Sequence, residues 1–224
     1  MKPRQLVGSA IVPGGGQELR LFRRGDDYMI VLDRNELMSS RMSGSEESLA
    51  ELTCARLRGR NAPKLLIGGY GMGFTLRAAL RVLPADASVV VAELVPEIIA
   101  WARGPMAALT SNCLDDPRVR IDERDVAALI AEARGTYDAI LLDVDNGPDG
   151  LTHPGNERLY SIQGLAAAKA ALSARGLLAI WSAAPDTAFT RRLIQSRFDV
   201  EEVTVRARSN DKGPRHTIWL AERE

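Results

Sequence analysis

The order of apolar and polar residues changes character near residue 60. Before that point, short apolar-rich runs at 5–12, 18–23 and 28–33 read as strands, punctuated by Gly14-Gly15-Gly16 and Gly25-Asp26-Asp27. Residues 36–44 are polar and rich in Ser and Met, and read as a loop. Ser45, followed by Glu46, Glu47 and Ser48, reads as a helix cap with acidic residues in the first turn, the helix running to about Leu57. From Lys64 onward, apolar runs of strand length (64–68, 88–93, 118–122, 138–143 and 176–182) alternate with helical stretches near 73–83, 95–109, 126–134 and 158–174. Runs such as VVVAE and AILLD are apolar without alternation, as in strands buried on both faces. Strand-helix alternation predicts a parallel sheet with right-handed crossovers. The tail departs from that rhythm: residues 199–208 and 215–222, joined by SNDKGP, read as a terminal hairpin. The predicted class is α/β, a doubly wound, mostly parallel Rossmann-like sheet ending in an antiparallel hairpin, with a short β-rich N-terminal extension. The expected division is residues 1–60 (β element, loop and helix) and 61–224.

Composition narrows the function classes. The chain has 224 residues, ample for a core, with 46% hydrophobic and 26% charged residues, an ordinary globular balance. Its formal net charge of +0 argues against an electrostatic nucleic-acid binder. The longest apolar stretch, 87–102, is interrupted by Glu93 and Glu97, so no membrane helix is predicted, and the N-terminus has too short an apolar core for a secretory signal. The two cysteines, Cys54 and Cys113, argue against a disulfide framework and for a cytoplasmic protein. The two histidines, His153 and His216, are not in metal-ligand spacing, so no metal is expected.

Candidate chemistry gathers where strands end. Leu65 to Gly73 (LLIGGYGMG) is a strand running into a glycine-rich turn and then a helix. Glycines at 68, 69, 71 and 73 let the backbone turn tightly and a ligand approach closely. The spacing is G-x-G-x-G, with Phe74 where the dinucleotide pattern has glycine, which tilts the reading away from a nicotinamide oxidoreductase. Glu93, 20 residues after Gly73, ends the second strand and is placed to accept the hydroxyls of a ribose. Asp125 follows the third strand; it suits either an acceptor for an adenine amine or a helix cap, and one residue can do both. Asp143 ends the fourth strand, where open α/β sheets bind ligands. Residues 135–157 carry Asp138, Asp143, Asp145, Asp149 and Glu157 but no Lys or Arg, an acidic mouth suited to a cation or simply a solvated loop. Asp138 reads as a strand-start residue. Trp101, Trp181 and Trp219 read as core or edge packing, His153 as a bystander, and Arg191, Arg192 and Arg197 as a solvated helix face.

Five stretches in order, LLIGGYGMGFTLR, VVVAELVPEIIAWAR, DDPRVRIDERDV, YDAILLDVDNGP and ERLYSIQGLAAAKAALSARGLLAIWSA, resemble the spermidine synthase family of polyamine aminopropyltransferases on a class I methyltransferase fold. The likeness covers about residues 60–222, with VLDRNELMSSR a looser match before it. It implies transfer of an aminopropyl group from decarboxylated S-adenosylmethionine to a small-molecule amine. Glu93 would hold the ribose, Asp125 would lie near adenine, and Asp143 would take the amine's proton. Asp145 would be a candidate for contact with the acceptor, and a homodimer is implied. Tyr160, just after the acidic loop, reads first as core packing and second as a substrate contact.

Three departures accompany the likeness. Gly71 stands where the family carries an aspartate that grips the donor's amine. The D-x-x-D-P segment is displaced to Asp143-Val144-Asp145-Asn146-Gly147-Pro148. Leu37 and Ser45-Glu46-Glu47 stand where the family has a Gln and a Tyr-His-Glu run. The nucleoside half of the site therefore reads as intact and the amine half as rebuilt. A methyltransferase using S-adenosylmethionine on a small molecule, and a non-catalytic nucleoside-binding homologue, remain as alternatives.

Overall fold

The computed structural model describes residues 3–144, 156–210 and 212–224. Asp145 and His153 lie outside the described residues. Four antiparallel strands form the N-terminal sheet in the order β1 (Gln5–Ile11), β2 (Glu18–Arg24), β3 (Asp27–Leu32) and β4 (Asn35–Ser39). The last of these corrects the reading of 36–44 as a loop. Asp33, at φ 52°, closes a two-residue hairpin in which Asn35 faces Leu32, and Leu37 and Met38 pack against the core.

Helix α1 (Gly44–Arg56) follows and packs on α2 (Phe74–Val82). Its cap position is Ser43, not Ser45; Ser45 is buried inside the first turn.

The larger sheet has seven strands in the order β10 (Phe198–Arg206), β11 (Arg215–Arg223), β9 (Leu172–Ser182), β8 (Tyr137–Leu142), β5 (Lys64–Gly68), β6 (Ser88–Ala92) and β7 (Val119–Asp122). Strands β5 to β9 pair in parallel, and β11 inserts antiparallel between β9 and β10. This is the doubly wound sheet with a terminal hairpin that the pattern predicts. Leu65, Ile67, Val89, Val91 and Leu141 point to one face, toward the N-terminal sheet and α1. Leu66, Ile140, Leu142, Leu178 and Ile180 point to the other, toward α4 (Val126–Glu132), α6 (Ile162–Ala171) and α7 (Thr187–Gln195). Both faces being covered explains the unbroken apolar runs.

Two predicted helices are shorter than their periodicity suggests. The stretch at 95–109 is α3 (Pro96–Arg103), ended at Gly104-Pro105 and followed by two short 3₁₀ turns. Proline offers no N–H to continue the ladder and disfavours helix in the residue before it. The stretch at 158–174 splits at Ser161 into α5 (Glu157–Tyr160) and α6, because Ser161 Oγ accepts from Gly164 N–H at 3.0 Å and caps the second helix. Strand β9 then begins at Leu172, four residues earlier than predicted. No helix among the described residues is long and apolar enough to cross a membrane.

Candidate active site

One pocket opens at the carboxyl ends of β5, β6 and β8, under the N-terminal sheet. Its wall on the larger-sheet side holds Gly69, Gly71, Glu93, Asp125 and Asp143; its opposite wall holds Val12, Leu19, Ile30, Leu37 and Met38, with Glu46 from α1 and Trp181 from β9.

The glycine turn is fixed by close approaches. Gly69 sits at φ +85°, and a Cβ there would lie 2.5 Å from the carbonyl oxygen of Asp143. Only glycine combines that φ with that contact. Gly71 sits at φ +54°, and a Cβ there would lie 2.6 Å from Met38 Sδ. The position where the resembling family has an acid is thus covered by a thioether from β4. Gly68 and Gly73 serve packing: Gly68 lies against Val126 and Leu142, and Gly73 lies under the Tyr70 hydroxyl at the start of α2.

Glu93, 5% exposed, follows β6 directly. Its Oε2 accepts from Tyr70 N–H and its Oε1 from Val95 N–H, each at 2.9 Å. It therefore ties the glycine turn to the start of α3. Burial pushes its carboxyl up, and the backbone amides around it push the other way. The amides of Gly71 and Leu94 also bear on it, so Glu93 is held by the backbone on both sides of the glycine turn and the strand end.

Asp125 caps α4, its Oδ1 accepting from Ala127 N–H at 2.8 Å. Its Oδ2 pairs with the Arg158 guanidinium. The expected capping role is present, and Arg158 pairs with the other carboxylate oxygen.

Asp143 follows β8, and its N–H donates to Gly68 O at 3.0 Å. Thr75 Oγ donates to its Oδ2 at 2.8 Å. Burial pushes Asp143 up to about 6, against the opposing pull of the Thr75 bond. Glu46, 7% exposed, is pushed up to about 8 by burial first and by the neighbouring Asp143 second. Two carboxyl groups in one apolar pocket resist carrying two charges together, so burial and mutual repulsion push the pair's titration upward.

Several participants escaped the sequence reading. Glu46 reads in the sequence as an acidic first-turn residue, yet it lines the pocket. Trp181 passed as packing; its indole lines the pocket and its buried Nε1 has no partner among the described residues. His216, unassigned, packs edge-on to Trp181 with ring centroids 4.8 Å apart. Tyr160 takes the core position that was its first reading, buried against Phe189 with centroids 5.7 Å apart, and is not on the pocket wall. Asp138 takes the structural place expected of it, paired with Arg60 and accepting from Lys64 N–H. Trp219 and Trp101 are core residues, and both cysteines are buried free thiols.

No family model matches the chain. Its sequence is 31% identical over 181 residues to the polyamine aminopropyltransferase of Mycobacterium tuberculosis, covering 78% of this chain and 33% of that protein. It is 29% identical over 173 residues to polyamine aminopropyltransferase 1 of Streptomyces coelicolor, covering 76% and 29%. The chain thus spans about a third of the length of the curated relatives it matches. In structure it matches the spermidine synthase of Thermotoga maritima with a TM-score of 0.78 at 20% identity, covering 98% of this chain and 73% of that one. A spermidine synthase in complex with the transition state analogue AdoDATO matches with a TM-score of 0.77 at 19% identity, over the same shares of the two chains. By sequence the chain resembles the polyamine aminopropyltransferases, and its fold is that of the spermidine synthases.

Proposed function

We propose that this chain is a transferase that moves an aminopropyl group from decarboxylated S-adenosylmethionine to an amine, a polyamine being the acceptor class suggested by the relatives. The observation that carries the reading is Asp143: a carboxylate at the end of a central parallel strand, held by Thr75, in the same pocket as Glu93 and the glycine turn. In this reading residues 61–224 supply the nucleoside half, with Glu93 on the ribose and Gly69 and Gly71 admitting the donor. Residues 1–60 supply the apolar wall and Glu46 of the acceptor half. Asp145 would add an acceptor contact. The same reading extends to a cytoplasmic homodimer acting on small molecules.

The chemistry is an in-line displacement. The amine lone pair attacks the carbon beside the sulfonium. The C–S bond breaks, and its electron pair stays on sulfur as a neutral thioether. One proton leaves the new ammonium. Asp143, made more basic than an exposed aspartate by burial, accepts that proton and orients the nitrogen.

Methyl transfer from S-adenosylmethionine is the second reading. One observation favours it: Gly71 has no side chain to hold the donor's amine, and Met38 fills the space beside it. Calorimetry with both donors tests the assignment. Tighter binding of the decarboxylated donor supports aminopropyl transfer. Tighter binding of S-adenosylmethionine moves methyl transfer to the front, and binding of neither overturns both.

A further inference from the structure

An ammonium group entering an apolar pocket needs a carboxylate to meet it. Among the described residues four carboxylates line this pocket, and no Lys or Arg does. Three of the four are engaged. Glu93 accepts from amides of the glycine turn and of the start of α3. Asp125 caps α4 and pairs with Arg158. Asp143, held by Thr75, is the base of the proposed transfer. Glu46 is the fourth. It is buried, and its carboxyl is met by the Ser45 hydroxyl, 2.6 Å from Oε2, and by its own backbone amide. Its neighbour Glu47 already has a cation, Arg77 of α2. The hydrogen bonds behind Glu46 run toward it. Ser45 gives its hydroxyl hydrogen to Glu46, so its Oγ accepts from Nδ1–H of His216, 2.9 Å away. A carboxyl that receives hydrogens from its surroundings is prepared to act as an anion. Thr75 sets its place beside the base: the hydroxyl that donates to Asp143 Oδ2 at 2.8 Å also lies 3.4 Å from the Glu46 carbonyl oxygen. Both acids therefore belong to one end of the pocket. The glycine turn offers no acid there, because Met38 Sδ fills the space that a Cβ on Gly71 would take.

We propose that Glu46 is the specificity-determining carboxylate that receives a substrate's alkylammonium group. This inference rests on the aminopropyltransferase reading above. Two such groups come with that reaction: the end of the donor's aminopropyl chain and the second nitrogen of a diamine acceptor. Both are primary ammonium ions on short alkyl chains, and the same charge-assisted N–H···O bonds suit either. The alkyl chain that carries the ammonium has an apolar lining to pack on, Leu37 and Met38 of β4 among it. Burial and the neighbouring Asp143 push the Glu46 carboxyl up, and a cation held against it opposes that push. A bound ammonium and an ionised Glu46 therefore favour each other, whereas a ligand without the ammonium gains nothing from this residue.

Calorimetry on the full chain tests this with three ligands. Methylthioadenosine has the nucleoside and the sulfur but no ammonium. Decarboxylated S-adenosylmethionine adds the aminopropyl ammonium. Diaminobutane, titrated into the chain loaded with methylthioadenosine, supplies the acceptor's. Glu46→Gln keeps the side chain's length and an acceptor oxygen for Ser45 and removes the charge. It is expected to weaken at least one ammonium-bearing ligand about tenfold, with methylthioadenosine within roughly twofold. A loss for the donor alone assigns the donor's ammonium to Glu46, a loss for diaminobutane alone assigns the acceptor's, and a loss for both gives them a shared carboxylate. Glu46→Asp keeps the charge and should retain more of the lost affinity than Glu46→Gln, which a purely structural role would not produce. Unchanged affinity for both ammonium-bearing ligands, a matching loss for methylthioadenosine, or equal losses in the two variants overturns the inference. Binding of neither the donor nor diaminobutane by the unmodified chain overturns it together with the transferase reading. Failure of that reading alone shows separately, as binding of both without release of methylthioadenosine.

Discussion

Replacing Glu46 with glutamine should change how stability depends on pH, and the structure sets both the sign and the size. The folded chain raises Glu46 from 4.5 to about 8, so the native state binds its proton more tightly than the unfolded state does. Stability from this group is therefore fully present below the unfolded value and is lost as pH rises toward 8. The slope is ~1.4 kcal/mol for each pH unit while the native group stays protonated and the unfolded one is ionised. Between pH 6 and pH 9 the loss amounts to about 2–3 kcal/mol. For a chain of this length that is a fall of roughly 5–10 °C in Tm. Glutamine keeps an acceptor oxygen for Ser45 Oγ and cannot ionise, so Glu46→Gln should lose little over the same interval. The assay is thermal unfolding by circular dichroism at pH 6 and pH 9 for both chains. His216, pushed down by burial, contributes in the opposite sense below its ordinary value and does so in both chains, so it cancels and the difference between them reads the Glu46–Asp143 pair. Equal pH responses in the two chains would refute the buried, proton-holding carboxyl.

The remaining expectations bear on other parts of the site. Asp143→Asn should cut turnover about 10²–10⁴-fold while nucleoside affinity measured by calorimetry stays within a few-fold, since Thr75 can still donate to the side-chain oxygen. Gly69→Ala places a Cβ 2.5 Å from the Asp143 carbonyl at φ +85°, and should lower stability by about 1–3 kcal/mol in urea unfolding and weaken nucleoside binding with it. Arg158→Ala should free Asp125 Oδ2 and tighten adenine-nucleoside binding, whereas Asp125→Ala should weaken it and also cost about 1 kcal/mol of helix cap, both read by thermal shift with and without nucleoside.

The legible parts of this molecule are those built on chain-local signals. An apolar run, a glycine turn and an acid at the next strand's end follow one another in sequence, so Glu93 and Asp143 could be located before any coordinates. The same local signals explain the corrected element ends. Gly104-Pro105 and Ser161 were visible stops inside two helical periodicities that otherwise ran on. The opposite wall of the pocket was far less legible, because it is assembled by tertiary contact. Glu46 follows a serine and precedes another acid, a pattern that reads as a capped first turn; the packing of α1 on α2 and on the larger sheet buries it in the pocket with Asp143. Trp181 and His216 lie on β9 and β11, adjacent only because the last hairpin strand inserts beside β9. Tyr160 follows the acidic loop in sequence, yet its short helix turns it into the core behind Phe189.

The most direct measurement is the identity of the nucleoside product. The purified chain is incubated with decarboxylated S-adenosylmethionine, and in parallel with S-adenosylmethionine, against a panel of diamines, polyamines and monoamines, and the nucleosides are resolved by liquid chromatography with mass detection. Amine-dependent release of methylthioadenosine from the decarboxylated donor, lost in Asp143→Asn, is the predicted result. Release of S-adenosylhomocysteine from the carboxylated donor, with no methylthioadenosine from the other, would contradict it.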